Sequence, residues 1–147
     1  MPGTVVRDAN APNLLTGATL NSAGTTTGTV WDAQWPGEVT FFMDTGTIDS
    51  GTGDETMDVL IQGCETSDFT TADVVRLGQF KIEDNDDDKV FGFTTYVDTR
   101  YVRTSVTAGG TSPDFSGTTL YPVLPHDRRV RDTAGGGIGF PTSAAIV

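Results

Sequence analysis

The sequence predicts an all-β domain, a sandwich or barrel of short strands, and three observations carry the prediction. Apolar and polar residues alternate with a period of two along several short runs, as in half-buried strands. The 18 glycines, with abundant Thr and Asp, separate those runs with turn chemistry. Helix formers are scarce: Lys occurs only at Lys81 and Lys89, and Ala and Leu do not recur at helical spacing. At 147 residues the chain has the length of one domain and can bury a sizeable core.

Residues 1–29 are mostly Thr, Asn, Ala and Gly, with Leu14, Leu15 and Leu20 as apolar exceptions. They read as an extended N-terminal arm, ordered where those leucines dock on their own domain or on a neighbouring subunit, because three leucines are costly to leave in water. The sandwich itself is expected over residues 30–125, and a flexible tail over 126–147. Trp31 and Trp35, closed by Pro36-Gly37, have the spacing of a sugar platform. No cluster of Asn, Asp or Arg accompanies them, so they are read as structural aromatics beside a turn.

Glu38–Asp44 is a strand with Val39, Phe41 and Met43 on one face and Phe42 on the other. An outward Phe calls for a second sheet or a partner. After the polar, Gly-rich loop Thr45–Glu55 comes Met57–Cys64, the most apolar run and the expected central strand, with Val59 and Ile61 opposite Leu60. Cys64 is the only cysteine and reads as a small core residue; no internal disulfide is possible. Glu65–Phe69 turns the chain, with Phe69 plugging the core, and Val74–Ile82 is a further strand with Leu77 inward.

Glu83–Asp88 is the densest acidic run, which raises the question of calcium. The EF-hand template fails there: the sixth position from Asp84 is Lys89, not Gly, and the twelfth is Thr95, not Glu. An exposed acidic turn between strands is the expectation. Asp49–Asp88 holds twelve of the 20 acidic residues, so one end of the domain should be the more acidic.

Val90–Val97 is the next strand, and the brief turn Asp98-Thr99 leads into the pair that organises the chain. Tyr101–Thr107 sets Val102, Thr104 and Val106 on a core face, and Tyr101, Arg103, Ser105 and Thr107 on a face toward water or a partner. Gly109-Gly110 stops that strand, Thr111–Asp114 is turn chemistry, and Thr118–Leu124 returns, carrying Tyr121. Arg128, Arg129 and Arg131 then gather positive charge, in a form suited to bidentate contacts with an acidic neighbour or to a solvated turn. The tail ends in Ile138, Phe140, Ile146 and Val147, weakly apolar and Gly-spaced.

A net charge of −11 argues against direct contact with nucleic acid or docking on an anionic membrane. No window is apolar enough to span a bilayer, and no signal peptide is visible. Catalysis is not expected. His126 has no nucleophile in a recognisable motif, Gly135–Gly137 lacks the Lys and Ser/Thr of a phosphate loop, and no His/Cys set has zinc spacing. No cofactor or metal is expected either. A pair of carboxylates for glycoside chemistry is always open with this many acids, but the domain looks too small for a deep cleft.

Four segments carry a resemblance: Val59–Phe69 (V-L-I-Q-G-C-E-T-S-D-F), Arg76–Ile82 (R-L-G-Q-F-K-I), Arg100–Phe115 (R-Y-V-R-T-S-V-T-A-G-G-T-S-P-D-F) and Leu120–Leu124 (L-Y-P-V-L). In this order they resemble the small decoration, or cement, proteins of tailed-phage capsids, over residues 38–125. The resemblance implies a jelly-roll-like sandwich without catalytic residues, usually a homotrimer. It implies a place on the outer capsid surface of the virion, after synthesis in the host cytoplasm, where the protein bridges neighbouring major capsid subunits. Leu14, Leu15, Leu20, Phe42, Tyr101, Arg103, Tyr121, Arg128, Arg129 and Arg131 are then the candidate interface residues. A carbohydrate- or host-surface-binding module resting on Trp31 and Trp35 is the alternative, from a different class.

Overall fold

A computed structural model describes residues 5–7, 12–34, 36–48, 52–70 and 72–125. Among them the chain forms nine strands and no helix: β1 (Val5–Arg7), β2 (Gly24–Thr27), β3 (Trp31–Asp32), β4 (Gly37–Asp44), β5 (Thr56–Cys64), β6 (Val75–Glu83), β7 (Val90–Val97), β8 (Tyr101–Gly109) and β9 (Thr119–Pro125). They make two antiparallel sheets, β1-β9-β4-β7 and β2-β8-β5-β6, with β3 also on β8. The all-β sandwich expected from the alternation is what the chain builds. Its core lies between the sheets, where Val39, Phe41 and Met43 of β4 meet Met57, Val59 and Ile61 of β5, all fully buried. The period of two decides this directly: in β4, β5 and β8 every second side chain is buried.

β5 is central, as its apolar run requires, with β8 and β6 on either side. Its register with β6 shifts between Ile61 and Gln62, leaving Leu77 as the extra residue, partly buried against the core. β7 brings Phe93 across to the other sheet. Its ring lies 5.7 Å from Phe41 and 5.1 Å from Phe80, and it occupies the space over Gly78, which has no side chain to exclude it.

The N-terminal segment docks on its own domain. Leu14 and Leu15 are fully buried in the core. Leu14 N–H donates to the Leu120 carbonyl at 2.7 Å, and the buried Thr104 hydroxyl donates to the Leu14 carbonyl at 2.8 Å. Asn13 fastens the same place through its side-chain oxygen, which accepts the N–H groups of Leu15 and Leu120. β2 and β3 run in succession along one edge of β8, and between them Gly28 N–H donates to the Thr104 carbonyl at 3.0 Å. A side chain at Gly28 would strike the Leu14 carbonyl and the Thr104 hydroxyl, so this crossing needs glycine.

Cys64 and Phe69 are buried as the sequence expects, but outside the main core cluster. Cys64 pairs with Tyr101 in the β5–β8 ladder, one residue past the inward position Gly63. The loop after β5 folds back, and Phe69 packs beneath the Arg103 guanidinium, 4.4 Å from its ring centroid, on the outer face of β8. Phe69 takes φ 53°, which lets so tight a turn deliver a large ring.

Candidate functional site

Register places the loops. Asp44 stands opposite Val90 and Thr119, and Thr56 opposite Glu83 and Gly109, so the β4–β5, β6–β7 and β8–β9 connections meet at one end. That end carries Asp44, Asp54, Glu55, Glu83, Asp84, Asp86, Asp87, Asp88 and Asp114, against the single cation Lys89 in the described loops. This end is the more acidic one, although Glu65, Asp68 and Asp73 lie on the β5–β6 connection at the other, and several of its acids hold turns. Asp87 Oδ1 accepts the Ile48 N–H at 2.7 Å. Asp86 accepts the Glu83 N–H at 2.9 Å and meets Lys89 Nζ at 3.1 Å. The Thr45 hydroxyl, inserted between them, donates to the Asp86 carbonyl and accepts the Lys89 N–H. Asp54 takes the Thr111 N–H and hydroxyl at 3.0 and 2.9 Å; these bonds and the Thr52 hydroxyl hold its carboxyl down to about 2.

The opposite end carries the arginines. Arg100 grips Asp32 with two parallel bonds, Nε to Oδ1 at 3.1 Å and Nη2 to Oδ2 at 3.0 Å. The guanidinium holds Asp32 below the usual aspartate range, and Asp32 raises Arg100 in turn. Arg100 also lies over the Tyr101 ring at 5.1 Å, and Arg103 Nε donates to Gln62 at 3.1 Å while covering Phe69. Tyr101 and Arg103 are therefore engaged within their own chain.

The two outer faces differ in chemistry. Both carry a bonded threonine pair, Thr25 and Thr107 at 2.9 Å on the β2-β8-β5-β6 sheet and Thr40 and Thr94 at 2.7 Å on the β1-β9-β4-β7 sheet, and the former adds an ion pair, Lys81 with Asp58. On the β1-β9-β4-β7 sheet, Phe42 stands opposite both Tyr121 of β9 and Gly92 of β7. The Phe42 ring lies against the bare backbone of Gly92, which a Cβ would bring to 2.9 Å. Val90 and Tyr96 complete this face along β7, with Glu38 and Asp44 the charged residues of β4 at its ends. Phe42 is 37% exposed, Tyr96 61% and Val90 65%. Val75 of β6 and Val30 are exposed elsewhere, but the grouping of three exposed large hydrophobic residues on one face of one sheet is the strongest interaction signal among the described residues.

The candidate residues fall in four places. Phe42 and Tyr121 come together on this aromatic face. Tyr101 and Arg103 sit on the opposite sheet, so the aromatic and arginine candidates Tyr101, Arg103 and Tyr121 do not form one face but are split across the sandwich. Leu14 and Leu15 are buried in their own core, which removes them as contacts for another subunit in this fold, and Leu20 packs against that core while staying partly exposed. Arg128, Arg129 and Arg131 lie outside the described residues, as does Trp35. Trp31 pairs with Val102 and packs against the core rather than presenting a platform. Val90 and Tyr96 were missed, although the alternation of Val90–Val97 puts both on the face opposite Phe91 and Phe93. Against known proteins, the chain matches no family model, no curated protein and no solved structure.

Proposed function

We propose that the protein is a structural binding protein of a virion, a decoration protein that sits on the outside of an assembled phage head and bridges neighbouring major capsid subunits. The observation that carries this reading is the grouping of exposed apolar and aromatic side chains on one outer face, Phe42, Tyr121, Tyr96 and Val90 around the bonded pair Thr40 and Thr94, while the other face carries the Thr25–Thr107 pair and the Lys81–Asp58 ion pair. The aromatic face is the docking surface, and the opposite face and the acidic end remain toward solvent. A ligand that binds the assembled shell and not its dissociated subunits stabilises the shell by mass action. Self-association, as the trimer that the resemblance implies or through another closed symmetry, multiplies a modest contact into firm attachment.

The test is to add the purified protein to pre-assembled, expanded heads lacking it, and to follow co-sedimentation and heat resistance. Bound protein with a raised head melting temperature is the expected result, together with lost binding for Phe42→Ser and Tyr121→Ser and retained binding for Ser105→Asn on the opposite face. Heads equally resistant to heat with and without the protein refute the stabilising role.

A further inference from the structure

The four sheet edges are closed in different ways. β1, β2 and β3 are short. β6 carries Arg76, Lys81 and Glu83 and a register shift against its neighbour. Short length, charge and bulges are the devices that keep an edge from pairing with another chain. β7 has none of them. Val90–Val97 (V-F-G-F-T-T-Y-V) contains no charged residue and no proline, and pairs with β4 in unbroken register along its whole length. Among the described residues no strand pairs with its far side. In a chain of net charge −11, this strand lets two copies meet without setting charge against charge within the strands.

The side chains of this edge are also self-complementary. Val90 and Tyr96, the two most exposed large hydrophobic residues described, stand on the same face of β7, three positions either side of Phe93. We propose that β7 pairs antiparallel with β7 of a second copy about a two-fold axis at Phe93, joining two four-stranded sheets into one. Val90 of each copy then stands opposite Tyr96 of the other, and Gly92 opposite Thr94. Each opposed pair lies on a single face of the joined sheet, as a pleated ladder requires. The contact is isologous, so every pairing occurs twice and Val90 and Tyr96 each gain a cross-strand apolar neighbour in both copies while their outer face stays open. Moving the axis by one residue, to Thr94, would set Val90 against Asp98 and leave an apolar group facing a charge. The joined sheet also brings two Phe42–Tyr121 faces onto one surface.

Light scattering after size exclusion, over a concentration series, tests the pairing. The expected result is a mass that rises to twice that of the chain, and remains that of one chain for Val90→Lys and Tyr96→Lys, with far-ultraviolet dichroism unchanged and a melting temperature equal to the parent's at concentrations where the parent is a single chain. Register is read by cysteine pairing, since directly opposed Cβ atoms lie about 4.5–5.5 Å apart. Under mild oxidation a mixture of Val90→Cys and Tyr96→Cys proteins should give a crosslinked pair, and neither variant alone should. A mass that never exceeds one chain, a mass of three chains, or self-crosslinking of a single variant overturns the proposal. Shell binding fails independently: Phe42→Ser is expected to abolish attachment to heads and leave the doubled mass, whereas Tyr96→Lys is expected to lose the doubled mass and weaken attachment without abolishing it.

Discussion

Replacing Gly78 by Ala tests how the two sheets are held apart on the β6–β7 side. Gly78 stands opposite Ile61, and a Cβ there would come within 2.5 Å of Phe93 Cε2 and closer still to Cζ. Ordinary carbon contacts are about 3.5–4.0 Å, so the ring must move by roughly an ångström. It has little freedom to do so, because Phe41 and Phe80 flank it with ring centroids at 5.7 and 5.1 Å. Overpacking of this kind costs about 1–3 kcal/mol. With a urea slope of about 1–3 kcal/mol per molar, the unfolding midpoint of Gly78→Ala should fall by roughly 1 M with the slope unchanged. The decisive arm is the double variant. Phe93→Leu removes the ring edge that the new methyl strikes, so Gly78→Ala should cost much less when combined with Phe93→Leu, a coupling on the order of 1 kcal/mol. A Gly78→Ala protein within about 0.5 kcal/mol of the parent, or strictly additive single costs, would refute the account of this contact.

Three further outcomes follow from named contacts. Thr104→Val keeps the shape of a fully buried side chain but leaves the Leu14 carbonyl without its hydroxyl donor; stability should drop by about 1–3 kcal/mol in chemical denaturation, and an unchanged midpoint would show that the N-terminal segment does not depend on this bond. Asp54, held at about 2 against an ordinary 3.8, contributes stability that is present above the ordinary value and lost as pH falls through the lower one; the melting temperature of Asp54→Asn should therefore decline less than that of the parent over this interval, and parallel curves would remove Asp54 from the acid response. Gly28→Ala should loosen the N-terminal segment, seen as faster amide exchange at Leu14 and Gly28, because its Cβ strikes the Leu14 carbonyl; unchanged exchange would contradict the close crossing.

Which side of β4, β5 and β8 is buried was legible in the residue pattern alone, whereas in β6 the bulge lets Leu77 turn inward although Phe80 and Ile82 set the buried face. Alternation is local, and a strand with Val39, Phe41 and Met43 on one side has one way to face a core. The same pattern identified β5 as central and Phe42 as outward. Strand pairing settled what alternation cannot encode: which outward faces share a sheet. Tyr121 joined Phe42 because β9 pairs with β4, while Tyr101 and Arg103 went to the far side because β8 pairs with β5. Strand order depends on long-range pairing of backbone groups that every residue carries alike, so no local residue pattern reports it. The burial of Phe69 and Cys64 was expected, but their place outside the main core cluster was not, and Phe69 owes its place to a loop that folds back under Arg103. The docking of Leu14 and Leu15 on their own domain rather than on a neighbour rests on two bonds at Leu14, one to the Leu120 carbonyl and one from the Thr104 hydroxyl. Both partners lie far along the chain, and only the folded sandwich brings them to the N-terminal segment.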